Sequence, residues 1–473
     1  MKQFRILGIL LLLGTYSQAQ AQTAKVTWTT THQTIDGFGA YDINMTGQFN
    51  TSTAVLNQLF TTTGNNVGLS ILRVPVPDAG GNTGTDPAGN CSTINTGCGN
   101  VTAEESFAAA QGVRIFATPW SPPASMKSNG NYDCGSGGGS GALLSGAYGA
   151  YATWLSNFIA SKKNAGINLY ALSVQNEPDV CPTGYGGALW TATNLDTFIK
   201  SDLGPTVTTA GQTSVQIVMP ESGGYSVNGG GLHTGMDSYA STCLSDSSCA
   251  QYVDICAAHD YEVTHPWTPG PDSLCANAGK RLWETEIYQG STYDGSMADA
   301  LIWAQDIHNW MTSANASAWL WWQIFSPYSD NEPLYQPGTT TPSKRLFVIG
   351  QWSKFVRPGW VRVDATTEPQ SGVFISAFKN SSTGAFAIVA VNTTNGGLSQ
   401  VFSFSGFPTV TTVTPSLTDS TMNLAAQADV NVSSNSFSYT LPAQSVTTFV
   451  GTANGTSGTT PMAPPSGLSA TVK

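Results

Sequence analysis

The stretch LYALSVQNEPDV, residues 169–180, sets how the rest of the chain is read. It begins as an unbroken apolar run and ends on an amide, a carboxylate, a proline and an aspartate. A run without polar alternation describes a strand covered on both faces, as a parallel sheet wrapped by helices requires. Proline cannot donate to a sheet ladder and biases its predecessor toward extended geometry. Pro178 is therefore expected to end the strand, with Glu177 as its last residue. A carboxylate at a strand tip is placed to act on something above the sheet.

Seven more such runs lie on either side: DGFGAY (36–41), LSILRV (69–74), VRIFAT (113–118), SVQIVM (214–219), YVDICA (252–257), KRLWETE (280–286) and AWLWWQI (318–324). Helix-like segments separate several of them, among them AYGAYATWLSNFIASKKNAG (147–166) and SMADALIWAQDIHNWMTSA (296–314). Eight strand–helix units predict an α/β fold, a (β/α)8 TIM barrel over residues 36–357, with the Gly-rich 134–146 as a loop insertion. After Arg357 the chain turns to short Thr-, Val- and Ser-rich alternating runs, which predict an attached C-terminal antiparallel β-sandwich over residues 358–451. The segment 22–35, containing AKVTWTT, is expected to join that side domain. Residues 452–473 read as a linker, and the last ten resemble the opening strand of a fibronectin type III module.

Residues 1–21 carry Lys2 and Arg5, an apolar core from Ile6 to Leu13, and Ala19-Gln20-Ala21, the pattern of a secretory signal peptide. No segment offers the ~20 apolar residues of a membrane span. Losing residues 1–21 would take Lys2 and Arg5 from the 18 basic residues and leave all 29 acidic ones, a net charge of −13. That balance argues against nucleic acid as a partner, because binding it needs clustered Lys and Arg. Only 10% of residues are charged and 13 are Trp, which suits an extracellular, monomeric protein presenting rings to neutral polymers. Eight cysteines (91, 98, 134, 181, 243, 249, 256 and 275) in an exported chain favour disulfides. Cys91 with Cys98 and Cys243 with Cys249 are near enough to close small loops, though eight cysteines allow 105 connectivities. A zinc site is the rival reading, but no C-x-x-C or H-x-x-x-H spacing occurs, and His259 has no second histidine at ligand spacing, so no metal or cofactor is expected.

In a TIM barrel the chemistry sits at the carboxyl ends of the strands. Glu177, Glu221 and Glu286 fall there, with Asp42, Asp260 and Glu262 near other tips. A pair of carboxyl groups facing each other, one neutral and one ionised, is what glycoside hydrolysis needs, and Glu177 with Glu286 is the pair selected. Glu284 shares parity with Glu286, so both are expected to point inward, Glu284 deeper. Either an arginine such as Arg73 pairs with it or a bulge turns it away.

The set DGFGA, LRVPV, TPWSPPASMK, VQNEPDV, HDYE, LWETEIY, WLWWQI and SKRLFVIGQWSKFVRPGW, closed by LPAQSVTTFV, runs in order from about residue 24 to 451. It resembles glycoside hydrolase family 30 of clan A, and within it the secreted bacterial xylanases of subfamily 8. The resemblance implies a retaining endo-β-1,4-xylanase with Glu177 as acid/base and Glu286 as nucleophile. It implies Asn176 on the sugar 2-hydroxyl, and Arg73 and Tyr261 keeping the nucleophile aligned. Trp120, Trp321 and Trp322 would be sugar-facing walls, with Tyr288 also contacting substrate; by alternation only one of Trp321 and Trp322 is expected to face the site. Arg73, Tyr261 and His259 also have plainer readings as partners of buried groups. Subfamily 8 members that depend on glucuronic acid branches follow their paired tryptophans with an arginine. Here Gln323-Ile324-Phe325-Ser326-Pro327-Tyr328 stands in its place, so strict dependence on acidic branches is not expected. A β-1,6-glucanase, an exo-acting xylobiohydrolase, a glucosylceramidase-like enzyme and a non-catalytic carbohydrate-binding protein are the alternatives, since a fold does not fix a substrate.

Overall fold

The computed structural model describes residues 23–42, 52–76, 102–138, 140–225, 235–261, 263–326 and 328–453. The signal-like segment, Cys91, Cys98, Glu262 and the linker beyond residue 453 lie outside the described residues.

Strand β1 (Ala24–Thr34) belongs to the second sheet. The next eight are β2 (Gly37–Tyr41), β3 (Ile71–Val76), β4 (Arg114–Pro119), β5 (Leu169–Ser173), β6 (Gln216–Ser222), β7 (Ile255–Ala258), β8 (Arg281–Glu284) and β9 (Ala318–Gln323). All pair in parallel and close into one barrel, β2 bonding both β3 and β9. Each coincides with one of the apolar runs in the sequence. The interior holds one large ring among small neighbours: Trp283 stands edge-on to Phe116 at 5.4 Å, while Ala171, Ala257 and Ala318 make room for it. Its indole N–H donates to Asp36 Oδ2 at 2.8 Å, and Asp36 is ion-paired to Arg114 and Arg281, which closes the barrel floor. Outside, the helices Tyr148–Asn164 and Met297–Asn309 bury their apolar faces against the strands. Ser296 caps the second, its hydroxyl accepting from Asp299 N at 3.3 Å.

The side domain adds β10 (Val361–Ala365), β11 (Val373–Lys379), β12 (Ala385–Asn392), β13 (Leu398–Ser405), β14 (Thr412–Thr418), β15 (Ala425–Ala426), β16 (Val430–Asn431), β17 (Ser436–Leu441) and β18 (Ser445–Thr452). With β1 they form a ten-stranded sheet, antiparallel except where β1 runs parallel to β13. Phe402 on β13 and Phe449 on β18 lie 5.0 Å apart ring to ring, although four strands separate theirs in hydrogen-bond order, so the sheet folds over into two layers. Strand β12 is buried along its whole length because it faces two cores. Phe386, Ile388 and Ala390 enter the sandwich, whereas Ala387, Val389 and Val391 enter the barrel's helical layer. Every residue of that strand is apolar up to Asn392, as this double burial demands.

Disulfides join Cys134 to Cys181, Cys243 to Cys249 and Cys256 to Cys275. The first ties the loop after β4 to the loop after β5. Among the described residues no helix is long and apolar enough to cross a membrane.

Candidate active site

The carboxyl ends of the barrel strands open on a cleft of about 840 Å³, lined in part by Tyr41, Trp120, Asn176, Glu177, Tyr261, Glu286, Tyr288 and Trp322. Glu177 is not the final residue of its strand. β5 stops at Ser173, and Glu177 adopts left-handed backbone geometry (φ 45°), uncommon for a residue bearing a side chain. Tertiary bonds hold it there against the bias of the following proline: Glu177 N donates to Glu221 O at 2.9 Å and Trp190 N to Pro178 O at 2.8 Å. The turn lifts the carboxylate off the sheet and aims it across the barrel mouth.

Glu286 lies two residues beyond β8. One oxygen of Glu177 and one of Glu286 lie within 4.8 Å of each other and of His259, whose Nδ1 is 3.1 Å from Glu177 Oε1 and 3.7 Å from Glu286 Oε1. Burial opposes charge on His259, but Glu286, Glu177 and Glu221 together push its pKa up to about 10. The imidazole is thus a cation between acids at neutral pH. Burial raises the pKa of Glu286, and His259 and Arg73 oppose that rise.

Arg73, fully buried on β3, organises the floor of the site. Its guanidinium binds Glu286 Oε2, reaches Glu221 Oε1 at 2.9 Å and donates to Asn176 Oδ1 at 2.7 Å. The Tyr261 hydroxyl donates to the other Glu286 oxygen at 2.8 Å. Both oxygens of Glu286 are therefore fixed, and the Asn176 carbonyl is engaged, which leaves its amide hydrogens for the cleft. Glu221 sits within β6 in left-handed geometry (φ 61°); burial works against its charge, yet Arg73 and His259 hold its pKa below the usual range. Arg73 is itself buried beneath the cleft lining, its guanidinium 4.7 Å from the Trp120 ring and 5.2 Å from that of Tyr41, and its Nε donates to Thr118 Oγ1 at 3.2 Å.

The two tryptophans of β9 part company. Trp322 lines the cleft and stacks on Tyr41 at 4.8 Å with ring planes 3° apart, and Trp120 closes the corner 4.9 Å from Tyr41. Trp321 is not a sugar-facing wall. It is fully buried on the helix-facing side against Trp303 and Arg345, because neighbouring side chains on a strand point to opposite faces. Asp42 and Asp260 are buried away from the cleft, the latter accepting from the Trp310 indole at 2.8 Å.

Glu284 departs from its expected place as well. Trp283 fills the barrel interior, so Glu284 falls on the outer layer near Asp260 and Asp306, and Arg73 does not pair with it. Shared parity with Glu286 misleads because β8 ends at Glu284 and the backbone turns there. Burial and Asp306 drive the Glu284 pKa well up, with two backbone N–H groups acting the other way.

Two acids of the cleft were overlooked in the sequence, Asp330 and Glu332. Glu332 accepts from Gln323 Nε2 and from Ser326 Oγ at 3.0 Å, so the segment after β9 is organised around a carboxylate. Burial and Asp330 push its pKa up to about 7. A signal for it existed: Asn331-Glu332-Pro333 repeats the tripeptide Asn176-Glu177-Pro178. No lysine or arginine is among the described residues that line the cleft.

The family model described as the glycosyl hydrolase family 30 TIM-barrel domain matches residues 102–319. The glucuronoxylanase XynC of Bacillus subtilis is 33% identical over 454 residues, covering 94% of this chain and 96% of that protein. Among solved structures, the family 30 subfamily 8 xylanase Xyn30A from Clostridium acetobutylicum superposes with a TM-score of 0.76 at 32% identity, covering 91% of this chain and all of that one. A family 30 endoxylanase from Clostridium papyrosolvens gives 0.73 at 31% over the same shares.

Proposed function

Because the chain belongs to glycosyl hydrolase family 30, we propose that it is a secreted retaining endo-β-1,4-xylanase that holds one acetal of xylan between Glu177 and Glu286. The observation that carries the reading is the approach of the two carboxylates within 4.8 Å. Retaining glycosidases hold theirs ~5–5.5 Å apart, whereas inverting ones leave room for a water at ~6.5–9.5 Å.

In the first step Glu286 attacks the anomeric carbon; the bond to the departing oxygen breaks as that oxygen takes the proton of Glu177, leaving a glycosyl-enzyme. In the second, Glu177 removes a proton from water, which displaces Glu286 and restores the starting state. Arg73 and Tyr261 each bind one oxygen of Glu286 and so orient its attack. Asn176, its carbonyl engaged by Arg73, presents amide hydrogens to the sugar 2-hydroxyl, and the Trp322–Tyr41 stack with Trp120 forms the apolar wall for a sugar face.

The substrate is xylan without a requirement for glucuronic acid. Asp330 and Glu332 line the cleft, where no Lys or Arg stands among the described lining residues, an arrangement that repels uronates. Three disulfides and the signal-like N-terminal segment support export, and the acidic balance supports action as a monomer on a neutral polymer, without nucleic acid, membrane or cofactor.

The product pattern from xylans with and without glucuronic acid branches tests the reading. Mixed oligosaccharides of several lengths are expected from both. Cleavage at one fixed distance from each branch would overturn the claim about uronates, and reducing ends from β-1,6-glucan but not xylan would overturn the substrate.

A further inference from the structure

The ladder between β8 and β9 runs only through Trp283 opposite Ala318 and Glu284 opposite Trp319. It resumes as a single bond, Trp322 N to Ile287 O at 3.0 Å. Past the Glu284–Trp319 pairing the Glu286 N–H receives no backbone carbonyl, and it and the Leu320 N–H both face the Glu284 side chain. The Glu284 carboxyl takes both, Oε2 from Leu320 N at 3.1 Å and Oε1 from Glu286 N at 2.9 Å. It is fully buried, and among the described residues no basic side chain forms an ion pair with it. A carboxyl in such surroundings is costly unless its oxygens are engaged, and here the donors that engage it are the peptide of Glu286 and the strand bearing Trp322.

We propose that Glu284 is a positioning residue: its carboxyl accepts from the backbone at the β8–β9 seam where the ladder breaks off and fixes the height and direction of Glu286 over the cleft. The inference rests on Glu286 being the nucleophile. An apolar side chain of similar length would leave the Glu286 N–H without an acceptor and let the segment 285–287 drift. Glutamine would keep one carbonyl oxygen and set an amide N–H against a backbone donor.

The test compares the full-length wild type with Glu284→Met, Glu284→Gln and Glu286→Ala on 4-nitrophenyl β-xylobioside, whose good leaving group needs no proton from Glu177, so that kcat/KM reports the attack by Glu286. Rates are taken per folded molecule, with melting temperatures measured in parallel. The Met variant is expected to lose kcat/KM on the order of 10- to 100-fold, as a misplaced reacting group does, with KM changed less than about twofold, the signature of an interaction spent on the reacting geometry. The Gln variant should fall between Met and wild type. A Met variant with wild-type kcat/KM and only a lower melting temperature would overturn the proposal; if Met does not fold, wild-type kcat/KM in Gln does so instead. Undiminished turnover by Glu286→Ala would instead sink the nucleophile assignment. If the wild type ignores xylobiosides, the xylan reading falls, and the Glu284 series is read on whichever aryl β-glycoside it cleaves.

Discussion

The Tyr261 hydroxyl donates to Glu286 Oε1 at 2.8 Å while Arg73 holds Oε2, so neither oxygen of the proposed nucleophile is free to rotate. A nucleophile held at both oxygens loses little orientation on going to the transition state.

Glu286→Ala and Glu177→Ala should each remove nearly all activity on xylan, on the order of 10³-fold or more, with far-ultraviolet circular dichroism unchanged. The two differ with azide. On an activated aryl substrate azide should restore turnover in Glu177→Ala and yield a β-glycosyl azide, because it attacks the glycosyl-enzyme from the face water would use. An α-configured product from that variant would exchange the two roles.

Glu332 ionises near pH 7, having been raised chiefly by burial and then by Asp330. Repulsion of uronates should therefore grow as pH rises from about 6 to 8. The ratio of kcat/KM on linear xylo-oligosaccharides to that on glucuronic-acid-bearing ones should climb a few-fold over this window in the wild type and stay flat in Glu332→Gln. Parallel slopes in the two proteins would remove Glu332 from the account.

His259 contributes to stability with a definite sign. Its folded pKa, about 10, lies above the ~6.5 of an unperturbed histidine, so the folded state binds the extra proton between these values. The contribution is complete below pH ~6.5 and is lost as pH rises through about 10, with a slope of at most ~1.4 kcal/mol per pH unit. Glu177, Glu286 and Glu221 are the acids that face it, and the carboxylates of an unfolded chain titrate below this range. Melting temperature should fall from pH 7 to 10, and His259→Asn should flatten that fall; an unchanged slope would refute the assignment.

The Cys134–Cys181 bridge spans 47 residues and joins the loops that place Tyr132 and Tyr185 along the cleft. Chain-entropy reasoning gives it about 4 kcal/mol of stability. Cys134→Ser/Cys181→Ser should lower the denaturant midpoint and raise KM more than it lowers kcat. Equal effects on both parameters would mean that these loops shape the reaction centre itself.

The barrel was legible because most of its eight strands read as continuous rather than alternating apolar runs, as strands covered on both faces must. Strand tips were harder. Glu177 is left-handed through bonds to residues 221 and 190, which are remote in sequence, and the local rule for residues before proline could not anticipate them. Counting alternation separated Trp321 from Trp322 because β9 continues past both, and failed at Glu284 because β8 stops there. Arg73 shows how much the sequence conceals: the family resemblance tied it to Glu286, but its isolated charge in LRVPV gave no hint that Glu221 and Asn176 meet on it too.

Strand β1 lies between β10 and β13, both of which are made more than 300 residues later. During synthesis β1 must wait, unpaired, until the whole barrel has followed and β10 is made. The two ends of the polypeptide thus clasp each other around the catalytic body, and trimming either terminus back past this seam would open the other.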